Sequence, residues 1–120
     1  MNHAYAKDTY KNNQILTAPQ NKLVVMLYDG AIRNLKLSKI EMENKDLNKV
    51  NEYLQKTQDI VFELMSTLNL EVGGDVAKNL YSLYDYMYSR LIEANIKKDL
   101  EIINEIQGLL EELRDAWAQI

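Results

Sequence analysis

Leu47, Val50, Leu54, Thr57, Val61, Leu64 and Leu68 follow one another by alternating steps of three and four residues without a slip. That spacing puts all of them on one face of a helix, and it keeps the face turned toward antiparallel neighbours that cross at about 20°. The rest of the chain agrees with it. Four glycines and one proline in 120 residues are too few for a set of hairpins, which need turn residues every few positions. A chain of this length builds one hydrophobic core. The expected class is all-α.

The segments on either side of that repeat read as three more long helices. Thr17-Ala18-Pro19-Gln20 has the order of a helix start, with Thr17 as N-cap, Pro19 in the first turn and Gln20 at the reciprocal capping position. In the helix that follows, Leu23 to Tyr28 is apolar on every side and only Asp29, Arg33 and Lys36 mark a narrow wet face, so the helix is expected to be buried or bound. Gly30 lies inside it, and close helix packing is the favoured reason, with room for a ligand's backbone as the alternative. Glu43-Asn44-Lys45 is the first turn, and Asp46 caps the next helix. Leu70 to Gly74 breaks the pattern, and Asp75 is placed to cap a third helix. Asn95 to Lys98 closes that helix with basic charge suited to its dipole, and Asp99 caps the last. The last helix has Ile103, Ile106, Leu110, Leu113 and Trp117 on its core line, with Ile102, Leu109 and Ala116 widening it. Connections this short force antiparallel neighbours. The expected architecture is an up-down-up-down four-helix bundle over residues 17–120, preceded by a short N-terminal arm or helix over 1–16.

The third helix carries more apolar surface than a bundle needs. Asn79 to Ile92 holds four of the chain's eight tyrosines. Val76, Leu80, Leu83, Met87, Leu91 and Ala94 supply one stripe, the expected core line. Ala77, Tyr81, Tyr84, Tyr88 and Ile92 supply a second beside it. Together they cover roughly 180°, where a surface helix needs about 100°. A lone flank tyrosine lays its ring on the core and its hydroxyl in water. Three in succession favour a recognition face, because tyrosine offers much contact area for two torsions.

The chemistry of other function classes is missing. With 14 Lys and Arg against 18 Asp and Glu, and no basic cluster, the chain lacks the footprint of a nucleic-acid groove or an anionic-membrane binder. No apolar run of about 18 residues and no signal-peptide layout is present, so the expected location is cytoplasmic. The absence of cysteine removes thiolate metal sites, disulfides and thiol nucleophiles. His3, the one histidine, has no serine or acidic partner at a meaningful spacing. The pairs Glu41/Glu43 and Glu111/Glu112 lack the Glu-x-x-His pattern of di-iron bundles. No phosphate loop, nucleophile elbow or zinc pattern occurs. The chain reads as a non-enzyme without cofactor or metal.

Thr17-Ala18-Pro19-Gln20-Asn21-Lys22-Leu23, Met26 to Ile32, Gly73-Gly74, Leu83 to Met87, Arg90-Leu91, Glu93-Ala94-Asn95 and Leu113 to Trp117 together resemble the flagellar export chaperone family, FliS. The blocks fall in the family's order over nearly the whole chain. One departure is that Pro19 follows Ala18 directly, where the family usually has another residue between. The resemblance implies a cytosolic bundle that binds the disordered C-terminal segment of flagellin, prevents early polymerisation and helps delivery to a component of the export gate. It meets the helical-wheel reading at one point, since such a task needs surplus apolar surface on a stable scaffold.

The expected partner-binding surface is Tyr81, Tyr84, Tyr88 and Ile92 with Val25, Tyr28 and Ile32, and with Tyr10 of the arm as a removable cover. The alternative from another class is a structural bundle that homodimerises through the Tyr81/Tyr84/Tyr88 face.

Overall fold

The computed structural model describes residues 21–119. The Thr17–Gln20 helix start and the arm with Tyr10 lie outside the described residues. Four helices follow in order: α1 (Asn21–Glu43), α2 (Leu47–Ser66), α3 (Gly74–Lys97) and α4 (Leu100–Ala118). Each packs on two others, α1 on α2 and α4, and α3 on α2 and α4, which makes a four-helix bundle.

Cross-helix contacts fix the relative direction of three pairs. Glu41 meets Lys49 at 3.6 Å, while a Cβ at Gly30 would sit 3.4 Å from Ile60 Cδ1, so α1 and α2 run in opposite senses. Lys39 donates to Asn104 at 3.1 Å and Asp29 meets Arg114 at 3.3 Å, so α1 and α4 do too. On α2 and α3, Asn95 donates to Asn51 at 2.7 Å, and Tyr88 lies beside Gln55, Gln58 and Asp59.

Two of the connections use one device. Lys45 and Lys98 both take the left-handed conformation, with φ of 60° and 51°. In each case the following aspartate N–H reaches back five residues, Asp46 to Glu41 O and Asp99 to Ala94 O, both at 3.0 Å. This is the Schellman closure that glycine usually makes. The same aspartate then starts the next helix, Asp46 accepting from Lys49 N at 3.1 Å and Asp99 from Glu101 N at 2.9 Å. The tripeptide Lys-Asp-Leu occurs at both places. The third connection differs: Asn69 accepts from Val72 N at 3.1 Å, Gly74 needs a φ of 58°, and Gly73 is the N-cap. Asp75 therefore stands inside the first turn and makes no side-chain cap bond. It favours the helix through the dipole, not as the expected cap.

The core contains the predicted line of α2 from Val50 to Leu68, and on α4 Ile102, Ile103, Ile106, Leu110 and Trp117. Leu47, at the very start of α2, is exposed. On α3 the buried set is Ala77, Tyr84, Met87, Leu91 and Ala94, with Leu80 half-buried. That line steps 3-4-3-4-3 and takes Ala77 and Tyr84 from the second stripe, whereas Val76 is exposed and Leu83 only half-buried. The reason is geometric: an unbroken 3.5-residue period tracks a neighbouring helix better than a mixed one. On α1, Leu23 and Met26 are exposed, contrary to the expectation that the whole Leu23–Tyr28 run is buried or bound. Buried Ser38 and Thr57 donate to their own helix, at Leu35 O and Tyr53 O, so no polar group is stranded there.

Candidate partner-binding surface

Tyr28 on α1 and Tyr84 on α3 are fully buried, their hydroxyls hydrogen-bonded to each other and their rings 6.5 Å apart at 50°. Each satisfies the polar tip of the other, which allows two phenols into an apolar core. Burial raises both pKa values, that of Tyr84 to about 12. Trp117 acts on the Tyr28 value in the opposite direction. Ile32 is buried beside them. Tyr28, Ile32 and Tyr84 are therefore core residues in this structure and not parts of an outward stripe. A face built of Tyr81, Tyr84 and Tyr88 together does not exist here either.

The other candidates divide differently. Val25 is half-buried against the core. Tyr88 is half-buried and turns toward Gln55, Gln58 and Asp59 of α2. Tyr81 and Ile92 are each 40% exposed and lie seven and four residues from Tyr88, on the same side of α3.

The register set by Asn51–Asn95 and by Tyr88 beside Gln58 extends this into a groove. On α2 the positions spaced by three and four on that side are Leu47, Asn51, Gln55, Gln58 and Phe62. Leu47 and Phe62 are exposed, Phe62 by 60%. On α3 the matching line is Tyr81, Tyr88, Ile92 and Ile96, and Ile96 is 78% exposed. The result is a furrow about 22 Å long at ~1.5 Å per residue, apolar at both ends, with amides at its centre. Phe62 and Ile96 were missed from the sequence as surface residues, and Leu47 was assigned to the core. A wheel of α2 carried the signal, since its one phenylalanine stands off the 47–68 core line.

The opposite edge of α3 is closed by charge. Tyr86 donates to Glu105 at 2.5 Å, Arg90 bridges Glu105 at 3.0 Å and Glu93 at 2.7 Å, and Lys97 meets Glu93 at 2.8 Å. The Tyr86 hydrogen bond and then Arg90 hold the Glu105 carboxyl below its usual value. Lys97 and then Arg90 do the same for Glu93. This lattice ties α3 to α4 and leaves the α2–α3 side as the apolar one. Among the described residues no group of His, Cys, Asp and Glu is arranged to hold a metal ion, and no helix is long and apolar enough to cross a membrane.

The family model described as flagellar protein FliS matches residues 1–120. The flagellar secretion chaperone FliS of Bacillus subtilis is 39% identical over 110 residues, covering 92% of this chain and 81% of the relative. That of Salmonella typhimurium is 37% identical over 118 residues, covering 98% and 87%. A crystal structure described as a flagellar chaperone from bacteria superposes with a TM-score of 0.77 at 23% identity, over 98% of this chain and 96% of that one, and supports the fold.

Proposed function

Because the chain belongs to the FliS family of flagellar secretion chaperones, which are not enzymes, we propose that it binds the disordered C-terminal segment of flagellin, keeps the subunit from polymerising early and assists its delivery to the flagellar type III export apparatus. The observation that carries this reading is the α2–α3 furrow, where Leu47 and Phe62 on one side and Tyr81, Ile92 and Ile96 on the other stand exposed. A disordered segment folds as it binds, laying an amphipathic helix into such a furrow with apolar anchors at i, i+3, i+4 and i+7. Coupled folding of this kind buries about 1,000–3,000 Å² in total and costs about 2–5 kcal/mol in ordering the client. The two helices of the furrow are already joined to each other through Asn51 and Asn95, so most of the ordering cost falls on the client. The central amides Gln55 and Gln58 suit the polar backbone and side chains of a helix that is not uniformly apolar.

The test is calorimetric titration of the full chain with a flagellin C-terminal peptide. Phe62→Ala and Tyr81→Ala should each weaken binding by more than about 1 kcal/mol, as expected of aromatic anchors, while the folded state persists because neither ring belongs to the buried core. Unaltered binding by both variants would place the client elsewhere.

A further inference from the structure

α1 has a second, mostly apolar line that the other described helices leave largely open, with only Gly30 and Leu37 half-buried. Its core line is Val24, Tyr28, Ala31, Leu35 and Ser38. On the opposite face Leu23, Met26, Gly30, Arg33, Leu37 and Ile40 step 3-4-3-4-3. Leu23, Met26, Arg33 and Ile40 are exposed, Met26 by 68%. A 3.5-residue apolar period along an outer face is the pattern of a helix that pairs with another helix.

Gly30 strengthens the case. A Cβ built there would meet only the tip of Ile60 at 3.4 Å, an ordinary contact, so packing inside the bundle does not call for glycine. The favoured expectation of close packing within the bundle is corrected accordingly. Glycine in mid-helix is unfavourable against alanine, and an approach from outside gives it a use. It floors a notch of about 330 Å³ lined by Met26, Asp29 and Arg33.

The line has symmetric apolar ends about an unlike central pair: two apolar residues, then glycine and arginine, then two apolar residues. We infer that the occupant is a second copy of this chain, α1 against α1 in antiparallel two-fold pairing. Such an interface must be self-complementary, and this one is. The two-fold sets Met26 against the partner's Leu37, Leu23 against the partner's Ile40, and Arg33 over the Gly30 notch of the other copy. There Arg33 meets the partner's Asp29, whose one ion pair among the described residues uses a single oxygen, Oδ1, on Arg114. Arg33 itself makes no ion pair among the described residues. At the ends Lys22 comes beside the partner's Glu43. Leu23 to Ile40 spans about 25 Å at ~1.5 Å per residue, so the contact is at the low end of specific interfaces, about 1,000–1,200 Å². The dimer is therefore concentration-dependent. It leaves the α2–α3 furrow open and does not depend on the client assignment.

Sedimentation velocity on the full chain, up to about 1 mM, tests this with Met26→Glu, Leu37→Lys and the two combined. At a wild-type Kd in the micromolar to sub-millimolar range, each single substitution should raise Kd at least tenfold, with an unchanged circular-dichroism melt. The double variant should recover the dimer, because antiparallel pairing sets the introduced glutamate of each copy against the introduced lysine of the other. A wild-type monomer at every concentration overturns the inference. So does a dimer that ignores the single substitutions, or a double variant as weak as either single, since parallel pairing would oppose two glutamates.

Discussion

Removing one hydroxyl from the Tyr28–Tyr84 pair should cost far more than removing both. Each phenol is buried and each is the other's partner. A buried polar group left without a partner costs about 1–3 kcal/mol, whereas replacing both partners by apolar groups of the same shape is nearly neutral. Tyr28→Phe strands the Tyr84 hydroxyl and Tyr84→Phe strands that of Tyr28. With an unfolding entropy of about 2.1 cal/mol/K per residue, 120 residues give roughly 0.25 kcal/mol/K. The single variants should then melt about 4–12 °C below wild type. The double variant should lie within about 4 °C of wild type, so the two single losses, about 2–6 kcal/mol in sum, should exceed the double loss by at least about 1 kcal/mol. Thermal melts of the four proteins by circular dichroism supply the cycle, and binding of the flagellin peptide is measured beside them at a temperature where all are folded. Additive losses would mean that the hydroxyls do not satisfy one another. Weakened binding with unchanged melting would return both rings to a recognition surface.

Three further outcomes follow from the local structure. Lys45→Gly relieves a left-handed lysine and should raise stability by about 0.5–1 kcal/mol after the entropy of the unfolded glycine is counted; a denaturant midpoint that falls instead would show that the Lys45 side chain contributes more than its backbone costs. Gly108 sits exposed in mid-α4 with open space where a Cβ would go, so Gly108→Ala should stabilise by up to about 1 kcal/mol, and a destabilised variant in the same titration would point to a contact at that crest. Glu105 has its folded pKa lowered by Tyr86 and Arg90, so its contribution is present above the ordinary glutamate range and is lost as pH falls through the lowered value. Glu105→Gln should therefore lower the melting temperature at pH 7 and make little difference near pH 2. A pH-independent gap between the two proteins would remove the ion lattice as its source.

Periodicity alone determined the class, the four helices and most of their ends, because a 3.5-residue step and a capping aspartate are local properties that act within a few residues. The α2 core line and the caps at Asp46 and Asp99 were legible for that reason. So was the surplus of apolar surface on α3, which is a property of one helix's own composition. Only the tertiary structure decided which part of the surplus faces inward. The core line of α3 could have run through Val76 and Leu83 or through Ala77 and Tyr84, and these differ by about 100° of rotation. Tyr28, 56 residues away, supplied the partner that lets Tyr84 be buried, and no local rule sees across that distance. The same rotation carried Tyr81 and Ile92 to the surface and aligned them with Phe62 of α2, whose role depends on a register between helices. The exposed line on α1 needed the fold for the same reason. In the sequence Leu23 to Tyr28 is apolar all round, and only packing against α2 and α4 shows which side the described helices leave most open.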